Sequence, residues 1–178
     1  MAGLPVPVPY SWSVADVFTA TIGNNTRDSL NFLLGPPVCI ATQATVQSIP
    51  YQVWTPLSLD TTQLDPYGTH SNTVNNSRFT APVRGWYTAC GVASINANGT
   101  GARGARLQVN GQPVAGGCSF GLPPSSNASG IATPTRDILM NPGDYLEVAS
   151  WQSSSGGAAP TGIYTDICTA LWVRWSHS

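Results

Sequence analysis

A series of short segments suited to β-strands runs through the chain, and Gly, Pro or Asn separates each segment from the next. The longest of them is Trp86–Ile95, which follows Pro82 and Gly85. Pro82 cannot donate a hydrogen bond to a sheet and so marks a break or an edge, whereas Gly85 permits a turn or a close approach of the backbone. Many short strands joined by turn residues are typical of an all-β sandwich or barrel.

Two of the connecting turns have a specific chemistry. Asn110-Gly111 is the strongest hairpin signal in the chain, because this pair tolerates the positive φ angles of a two-residue hairpin turn. Asn141-Pro-Gly-Asp144 is a turn that leads into the alternating strand Tyr145–Trp151. The other predicted strands are Cys39–Val46, Gln52–Leu59, Thr73–Thr80, Ala105–Val109, Ile131–Met140 and Cys168–Trp175. The predicted loops in the second half are Asn96–Gly101, Gly116–Ser129 and Ser153–Pro160.

Alternation assigns the faces of two strands, because successive side chains point to opposite sides of a sheet. The residues predicted to lie in the core are Leu107, Val109, Leu146 and Val148. Gln108 and Glu147 therefore point away from the core. Glu147 is the only glutamate in the chain, and we expect it to face solvent or a neighbouring subunit.

The first 37 residues have a different pattern. A Pro-rich lead is followed by a helix that begins after Thr19 or Thr21 and ends at Leu34, where Gly35-Pro36-Pro37 stops it. The helix has a narrow apolar stripe and would be marginal alone in water. We therefore predict an attachment arm at 1–37, a connecting strand or linker at 38–50 and a jelly-roll head at 51–178. The predicted attachment residues are Leu4, Val6, Val8, Ile22, Leu30 and Leu33.

Composition limits the possible partners. Charged residues are only 8% of the chain, against about a quarter in an ordinary globular protein. The net charge of −1 argues against a nucleic-acid partner, which would require clustered cations. No apolar run is long enough to span a bilayer, and Met1–Tyr10 does not resemble a secretory leader.

Candidate chemical groups are few, and we predict no catalytic, cofactor-binding or metal site. The four cysteines, Cys39, Cys90, Cys118 and Cys168, lack the close spacing of zinc ligands. Three disulfide pairings are open to them, but we favour buried thiols because no export signal is visible. No nucleophile-elbow motif accompanies the two histidines. His70 is expected to be a solvated loop residue, and His177 to lie in a frayed terminus.

The order of motifs resembles a known superfamily. Phe79–Tyr87, Leu107–Gly111, Leu139–Val148 and an aromatic last strand are similar to the jelly roll of the complement-head and tumour-necrosis-factor superfamily, over roughly Tyr51–Trp175. In addition, the segment Arg27-Asp-Ser-Leu-Asn-Phe-Leu-Leu-Gly-Pro-Pro37 resembles the N-terminal segment of small structural proteins of actinobacterial phages, and the absence of lysine agrees with that source.

Together these resemblances imply a homotrimeric virion protein. In the superfamily the last two strands lie in the sheet that packs around the trimer axis, so the resemblance suggests an interface in those strands. The predicted interface residues are Tyr145, Glu147, Trp151, Trp172 and Trp175.

Two functions follow as hypotheses. The first is a non-enzymatic phage structural protein that is made in the host cytoplasm and displayed on the virion, most simply as a capsid decoration protein and otherwise as a minor tail protein. Its arm would bind the major capsid or tail proteins. The second is a tail module that binds a host receptor or surface glycan through the loops Asn96–Arg103 and Gly116–Ser129.

Overall fold

The structure, a computed structural model, describes residues 4, 6–7, 11–123, 126–154 and 156–178. These residues form one helix, α1 (Ala20–Leu34), and a set of mostly antiparallel strands. The strands are β1 (Val38–Thr42), β2 (Ser48–Ile49), β3 (Thr55–Pro56), β4 (Thr61–Leu64), β5 (Phe79–Thr80), β6 (Gly85–Ile95), β7 (Arg103–Val109), β8 (Gln112–Gly121), β9 (Ser129–Ala132), β10 (Arg136–Met140), β11 (Tyr145–Gln152), β12 (Ala159–Pro160) and β13 (Ala170–His177).

Two antiparallel sheets enclose the core. The first has six strands in the order β10-β6-β13-β1-β4, with β9 also paired to β6. The second has five strands in the order β3-β11-β7-β8, with β5 also paired to β11. The short strands β12 and β2 form a separate pair. The predicted two-sheet antiparallel jelly roll with a short N-terminal helix is thereby confirmed.

The predicted core faces are correct. Leu107, Leu146 and Val148 are fully buried, and Val109 packs against the same core with part of its surface exposed. Strands β7 and β11 pair directly, with Val148 opposite Leu107 and Leu146 opposite Val109. The inward residues of two neighbouring strands therefore lie side by side and face the other sheet.

The hairpin predicted at Asn110-Gly111 joins β7 to β8. Both residues have positive φ angles, 51° and 77°, as a type I′ turn requires. The Asn110 side-chain amide also donates a hydrogen bond of 2.8 Å to Asp144 Oδ1, which lies in the predicted turn before β11. The same Asp144 carboxylate accepts from the Asn141 backbone N–H, and these hydrogen bonds hold its pKa below the usual range. The two turns therefore support each other at one end of the sandwich.

Helix α1 begins and ends as the sequence predicts, but its packing face is different. Thr19 Oγ1 accepts a hydrogen bond from the Ile22 N–H at the start, and the Gly35 N–H donates to Asn31 O at the end. Phe32 is buried against Trp175, with ring centroids 5.1 Å apart, and belongs to the main core. Leu30 and Leu33 instead are 56% and 63% exposed. The aromatic ring, not the leucines, holds the helix to the sandwich.

The head also begins earlier than expected. Strand β1, predicted as part of a connecting segment, lies within the six-stranded sheet between β13 and β4. Strand β13 pairs with β6 on one side and with β1 on the other. The sheet therefore starts at Val38 and not near Tyr51. The lead also contacts the head, since the Leu4 N–H donates to Pro66 O at 2.8 Å. Val8 lies outside the described residues.

Two predicted segments change type. Of Thr73–Thr80 only Phe79–Thr80 is a strand, and the preceding residues form turns. Strand β8 extends to Gly121, although Gly116–Ser129 is predicted as a loop. The helix among the described residues is too short to cross a membrane.

Candidate functional sites on the outer faces of the sandwich

The outer surface of the six-stranded sheet, called here the six-stranded face, is mainly apolar. Its central row consists of Ile40, Trp172 and Cys90, which are direct partners on β1, β13 and β6. All three side chains are half-buried on the outside of the sheet. The neighbouring outward residues that extend this apolar surface are Val38, Trp86, Val92 and Leu139. The face thus presents large apolar side chains in cross-strand register.

A groove of about 540 Å³ borders this face on the side of the helix. Leu33 and Pro36 form one wall, and Trp172, Arg174 and the last residues of the chain form the other. Leu33, an exposed residue of α1, therefore lines the groove beside the six-stranded face.

The outer surface of the five-stranded sheet, called here the five-stranded face, carries an aromatic platform made of Trp54, Phe120 and Trp151. The ring centroids are 5.9 Å apart for Trp54 and Phe120, 5.4 Å for Phe120 and Trp151, and 6.5 Å for Trp54 and Trp151. Gly104 lies beneath them, because a Cβ at this position would meet Phe120 at 2.8 Å and Trp54 at 3.0 Å. The missing side chain of Gly104 lets the rings lie against the strand.

A polar network continues from the platform across the same face. The Arg106 guanidinium lies over the Trp54 ring at 4.5 Å and donates two hydrogen bonds to Gln108 Oε1, at 3.1 and 3.3 Å. The Gln108 amide in turn donates to Glu147 Oε2 at 2.8 Å. The other oxygen of Glu147 accepts from the Ser77 hydroxyl at 2.7 Å and from the Arg78 Nε at 3.3 Å. The buried Glu147 carboxylate thus orients Gln108, and Gln108 orients the Arg106 guanidinium.

This network corrects the expected position of Glu147. Its side chain points away from the core, as alternation predicts, but the residue is only 3% exposed. The turn that contains Ser77 and Arg78 covers it, and Arg78 also stacks on Tyr145 at 3.9 Å. A buried carboxylate requires such partners, because desolvation without hydrogen bonds is strongly unfavourable. Glu147 is therefore held within its own chain.

The five predicted interface residues lie on two different sheets. Tyr145, Glu147 and Trp151 belong to β11 in the five-stranded sheet, whereas Trp172 and Trp175 belong to β13 in the six-stranded sheet. The expectation that the last two long strands share one sheet is thus corrected. Of the pair on β13, Trp172 is outward and Trp175 is buried beneath Phe32. These five residues do not form one surface.

The loop expected to carry a ligand site is held from inside. Arg103, at its end, is fully buried. Its guanidinium donates to the carbonyl oxygens of Asn98, Thr100 and Ala102 at 2.8 to 3.0 Å. Burial lowers the pKa of this guanidinium. The residue acts as a clamp for the loop and does not reach a ligand.

The histidine expected to be solvated has a structural role. His70 Nδ1 and Nε2 lie 2.8 Å from the carbonyl oxygens of Arg78 and Leu59, respectively. Both ring nitrogens thus lie within hydrogen-bond distance of backbone carbonyl oxygens, which hold the ring in place. Within the described ranges, no group of three or more histidine, cysteine or acidic residues is placed to hold a metal ion.

The four cysteines are all free, but they are not all buried as expected. Cys39 is fully buried, and burial raises its pKa to about 12. Cys90 and Cys168 are half-buried, and Cys118 is exposed on β8 opposite Arg106. The buried-thiol prediction therefore holds for Cys39 alone.

No protein-family model and no curated protein matches the sequence. Solved structures do match the fold. The globular domain of a zebrafish complement 1qA protein superposes with a TM-score of 0.57 at 11% identity and covers 80% of this chain and 99% of that chain. Murine APRIL at pH 5.0 gives 0.57 at 12% identity, covering 78% of this chain and 98% of that chain. At pH 8.5 it gives 0.56 at 11% identity with the same coverage.

These likenesses confirm the jelly roll of the complement-head and tumour-necrosis-factor type. At this level of identity they concern the fold alone. The resemblance of Arg27–Pro37 to phage proteins stays a prediction, as do the roles of the interface and attachment residues.

Sequence reasoning did not identify the aromatic platform. Phe120 lies in a stretch rich in Gly, Ser and Pro that was predicted as a loop, so it was not expected beside Trp54 and Trp151. The Asn110-Gly111 hairpin indicates only that β8 pairs with β7. A register shift between the partners of Arg106 and Gln108 separates the turn from Phe120, so extending the hairpin register along β8 would have placed Phe120 on the inner face.

Proposed function

We propose that this chain is a non-enzymatic virion structural protein of a bacteriophage that assembles as a homotrimer through the six-stranded face. The observation that carries the proposal is the row Ile40, Trp172 and Cys90, which presents apolar side chains on the outside of a single chain. Protein interfaces are enriched in such aromatic residues at their centres. The last strand, β13, which the superfamily resemblance assigns to the sheet around the trimer axis, lies in the middle of the six-stranded sheet.

The exposed side of α1 supports attachment to the particle. Leu30, Leu33 and Leu34 are all more than half exposed, although the helix is fixed to the head through Phe32. A helix that presents leucines to solvent fits a groove on a partner protein. We assign this partner to the major capsid protein, with a tail protein as the other candidate, because a compact head on a short arm suits decoration of a capsid.

The absence of enzymatic activity belongs to the same proposal. The groups that most resemble catalytic residues, His70 and Glu147, already have hydrogen-bond partners within the chain. Each ring nitrogen of His70 lies beside a backbone carbonyl oxygen, and each oxygen of Glu147 accepts from a neighbouring side chain.

Mass measurement of the purified protein tests the trimer. We expect a species of about three times the 18.6 kDa chain mass, and we expect Trp172→Arg to convert it to folded monomer. Phe120→Arg, on the five-stranded face, is the matched control and should remain trimeric. A wild-type monomer at micromolar concentration, or a Trp172→Arg protein that stays trimeric, contradicts the proposed interface.

Particle incorporation tests the attachment role. The double variant Leu30→Glu/Leu33→Glu keeps Phe32 and should fold, yet we expect it to be lost from purified phage particles. Leu122→Glu, at an exposed position in the head, is the control and should incorporate normally. Labelling followed by imaging of the intact particle then locates the protein on the capsid or the tail. Absence of the wild-type protein from particles overturns the virion assignment.

A further inference from the structure

We propose that the aromatic platform, together with Arg106, is a saccharide-binding site on the five-stranded face. A pyranose ring of a glycan chain would stack on Trp151 and Phe120, and its hydroxyl or carboxylate oxygens would accept hydrogen bonds from Arg106. The site does not depend on the virion assignment, because it uses a face distinct from the proposed trimer surface and from α1.

The platform has the shape of a corner and not of a flat patch. The planes of Trp54 and Trp151 are tilted by 37°, whereas Phe120 stands at 71° to the first and 77° to the second. Two rings therefore form a floor and the third forms a wall. Phe120 is 59% exposed and lies next to the last residue of the edge strand β8. A corner of this kind fits a ring-shaped ligand with one flat C–H face.

Arg106 supplies the polar part of the site. It already covers one face of Trp54, so the stacking surface is provided by Trp151 and Phe120, and Trp54 acts as a positioning residue for the guanidinium. Two of the N–H contacts of Arg106 go to Gln108, and its other N–H groups remain for a ligand. Among the described residues, its guanidinium forms no ion pair with a carboxylate.

The guanidinium is fixed before any ligand arrives. Gln108 is 4% exposed and is itself held by the buried Glu147, so the orientation of Arg106 is set from below. A binding group that is already ordered loses little conformational entropy when the ligand binds. A mainly apolar surface with a few fixed polar groups is the usual composition of a small-molecule or sugar site.

Other ligand classes fit less well. A nucleic acid would also stack on aromatic rings, but it needs a track of cations for its phosphates, and among the described residues Arg106 is the one cation observed to stack on the platform. A protein partner needs a broad surface, whereas the rings form a single row across one end of the face, from Trp54 beside β3 to Phe120 on β8, and the polar network lies next to this row along β7 and β11. A saccharide requires only the corner and the guanidinium.

Tryptophan fluorescence of the full-length protein tests the site, with cellohexaose and chitohexaose as neutral probes and polygalacturonate as an acidic one. A glycan array of neutral and acidic sugars widens the search. We expect saturable binding of at least one probe. Trp151→Ala and Phe120→Ala should each weaken it about tenfold or more, as the loss of a central aromatic contact does, and Arg106→Gln should weaken an acidic probe more than a neutral one.

The controls separate binding from folding. Tyr164→Ala removes an exposed aromatic residue outside the platform and should bind like wild type. Phe120→Leu keeps an apolar side chain and serves if Phe120→Ala does not fold. Thermal melting of each variant confirms that the fold is intact.

Three results overturn the proposal. One is the absence of binding to every probe and to the array. Another is unchanged binding by folded Trp151→Ala and Phe120→Ala proteins. The third is loss of a protein partner or of particle incorporation in these variants without any saccharide binding by wild type, which would make the platform a protein interface. The trimer mass reports independently on the proposed function.

Discussion

The two outer faces of the sandwich differ in the polarity of their side chains. On the six-stranded face, large apolar side chains such as Ile40 and Trp172 lie in cross-strand register, and the row beside them, Arg174, Thr88 and Asp137, is polar. On the five-stranded face, the corresponding rows carry Arg106, Gln108 and Glu147, which are joined by hydrogen bonds. In both sheets, alternate residues point inward, and these inward residues form one shared core.

One jelly roll can therefore support two kinds of surface. A face that presents rows of apolar side chains gains free energy when another apolar surface covers those rows. A face that holds polar groups in a set geometry can instead select a ligand by its hydrogen bonds. One core supports both faces. A substitution in the core should therefore affect both faces, whereas a substitution on one face should leave the other face intact.

The largest expected effect comes from the shared core. Leu146→Ala removes a fully buried side chain of the five-stranded sheet and should lower the free energy of unfolding by about 2–5 kcal/mol. Leu171→Ala, its buried counterpart in the six-stranded sheet, should fall in the same range, because both side chains fill one core. Chemical denaturation monitored by circular dichroism measures both.

Leu122→Ala is the matched control, since Leu122 is 88% exposed and lies outside the six-stranded face. Its change should stay within about 0.5 kcal/mol. A change below about 1 kcal/mol for Leu146→Ala would show that the side chain is not packed as described.

A smaller effect is expected from the network on the five-stranded face. Glu147→Ala leaves the Gln108 amide buried without its acceptor and removes the partner of Arg78, so it should lower the free energy of unfolding by about 1–3 kcal/mol. It should also loosen Arg106 and weaken saccharide binding while the trimer persists. Denaturation, sugar titration and mass measurement follow these three properties.

Asp137→Asn is the comparison on the opposite face, where the carboxylate is exposed and accepts from the Thr88 hydroxyl. We expect a change within about 0.5 kcal/mol. If both acidic variants have equal effects, the network does not distinguish the two faces.

The fold was largely predictable because its signals are local. Alternation placed Leu107, Leu146 and Val148 in the core, and the Asn110-Gly111 turn fixed one hairpin. The position of β1 was not predictable from its own residues, since a strand at the centre of a sheet is defined by neighbours far along the chain. The same is true of Phe32, whose burial depends on Trp175 at the other end of the sequence.

The candidate sites were harder to predict than the core. Which face a strand presents follows from alternation, but which sheet the strand joins does not, so Trp151 and Trp172 were expected on one surface and lie on two. A turn that folds over an outward residue also escapes local patterns, and for this reason Glu147 was expected to reach solvent or a subunit. Long-range topology, not propensity, decides both cases.

The smallest expected effect is a difference in alkylation rate between one thiol on each face. Cys90 lies in the central row of the six-stranded face and Cys118 on the edge of the five-stranded face. Burial raises the pKa of both thiols, although Thr135 opposes the shift for Cys90 and Arg106 opposes it for Cys118. Because a thiolate is the reactive form, alkylation should be slow near neutral pH and accelerate as the pH rises toward and above 9.

In the wild-type trimer, we expect iodoacetamide to label Cys118 first, because it is exposed, and Cys90 much later, because a neighbouring subunit would cover it. The buried Cys39, with a pKa of about 12, should react only after unfolding. Peptide mass spectrometry after timed alkylation resolves the sites. Trp172→Arg should release Cys90 for labelling and leave the rate at Cys118 unchanged. If Cys90 in the wild type reacts as fast as Cys118, the six-stranded face is open to solvent and the trimer uses another surface.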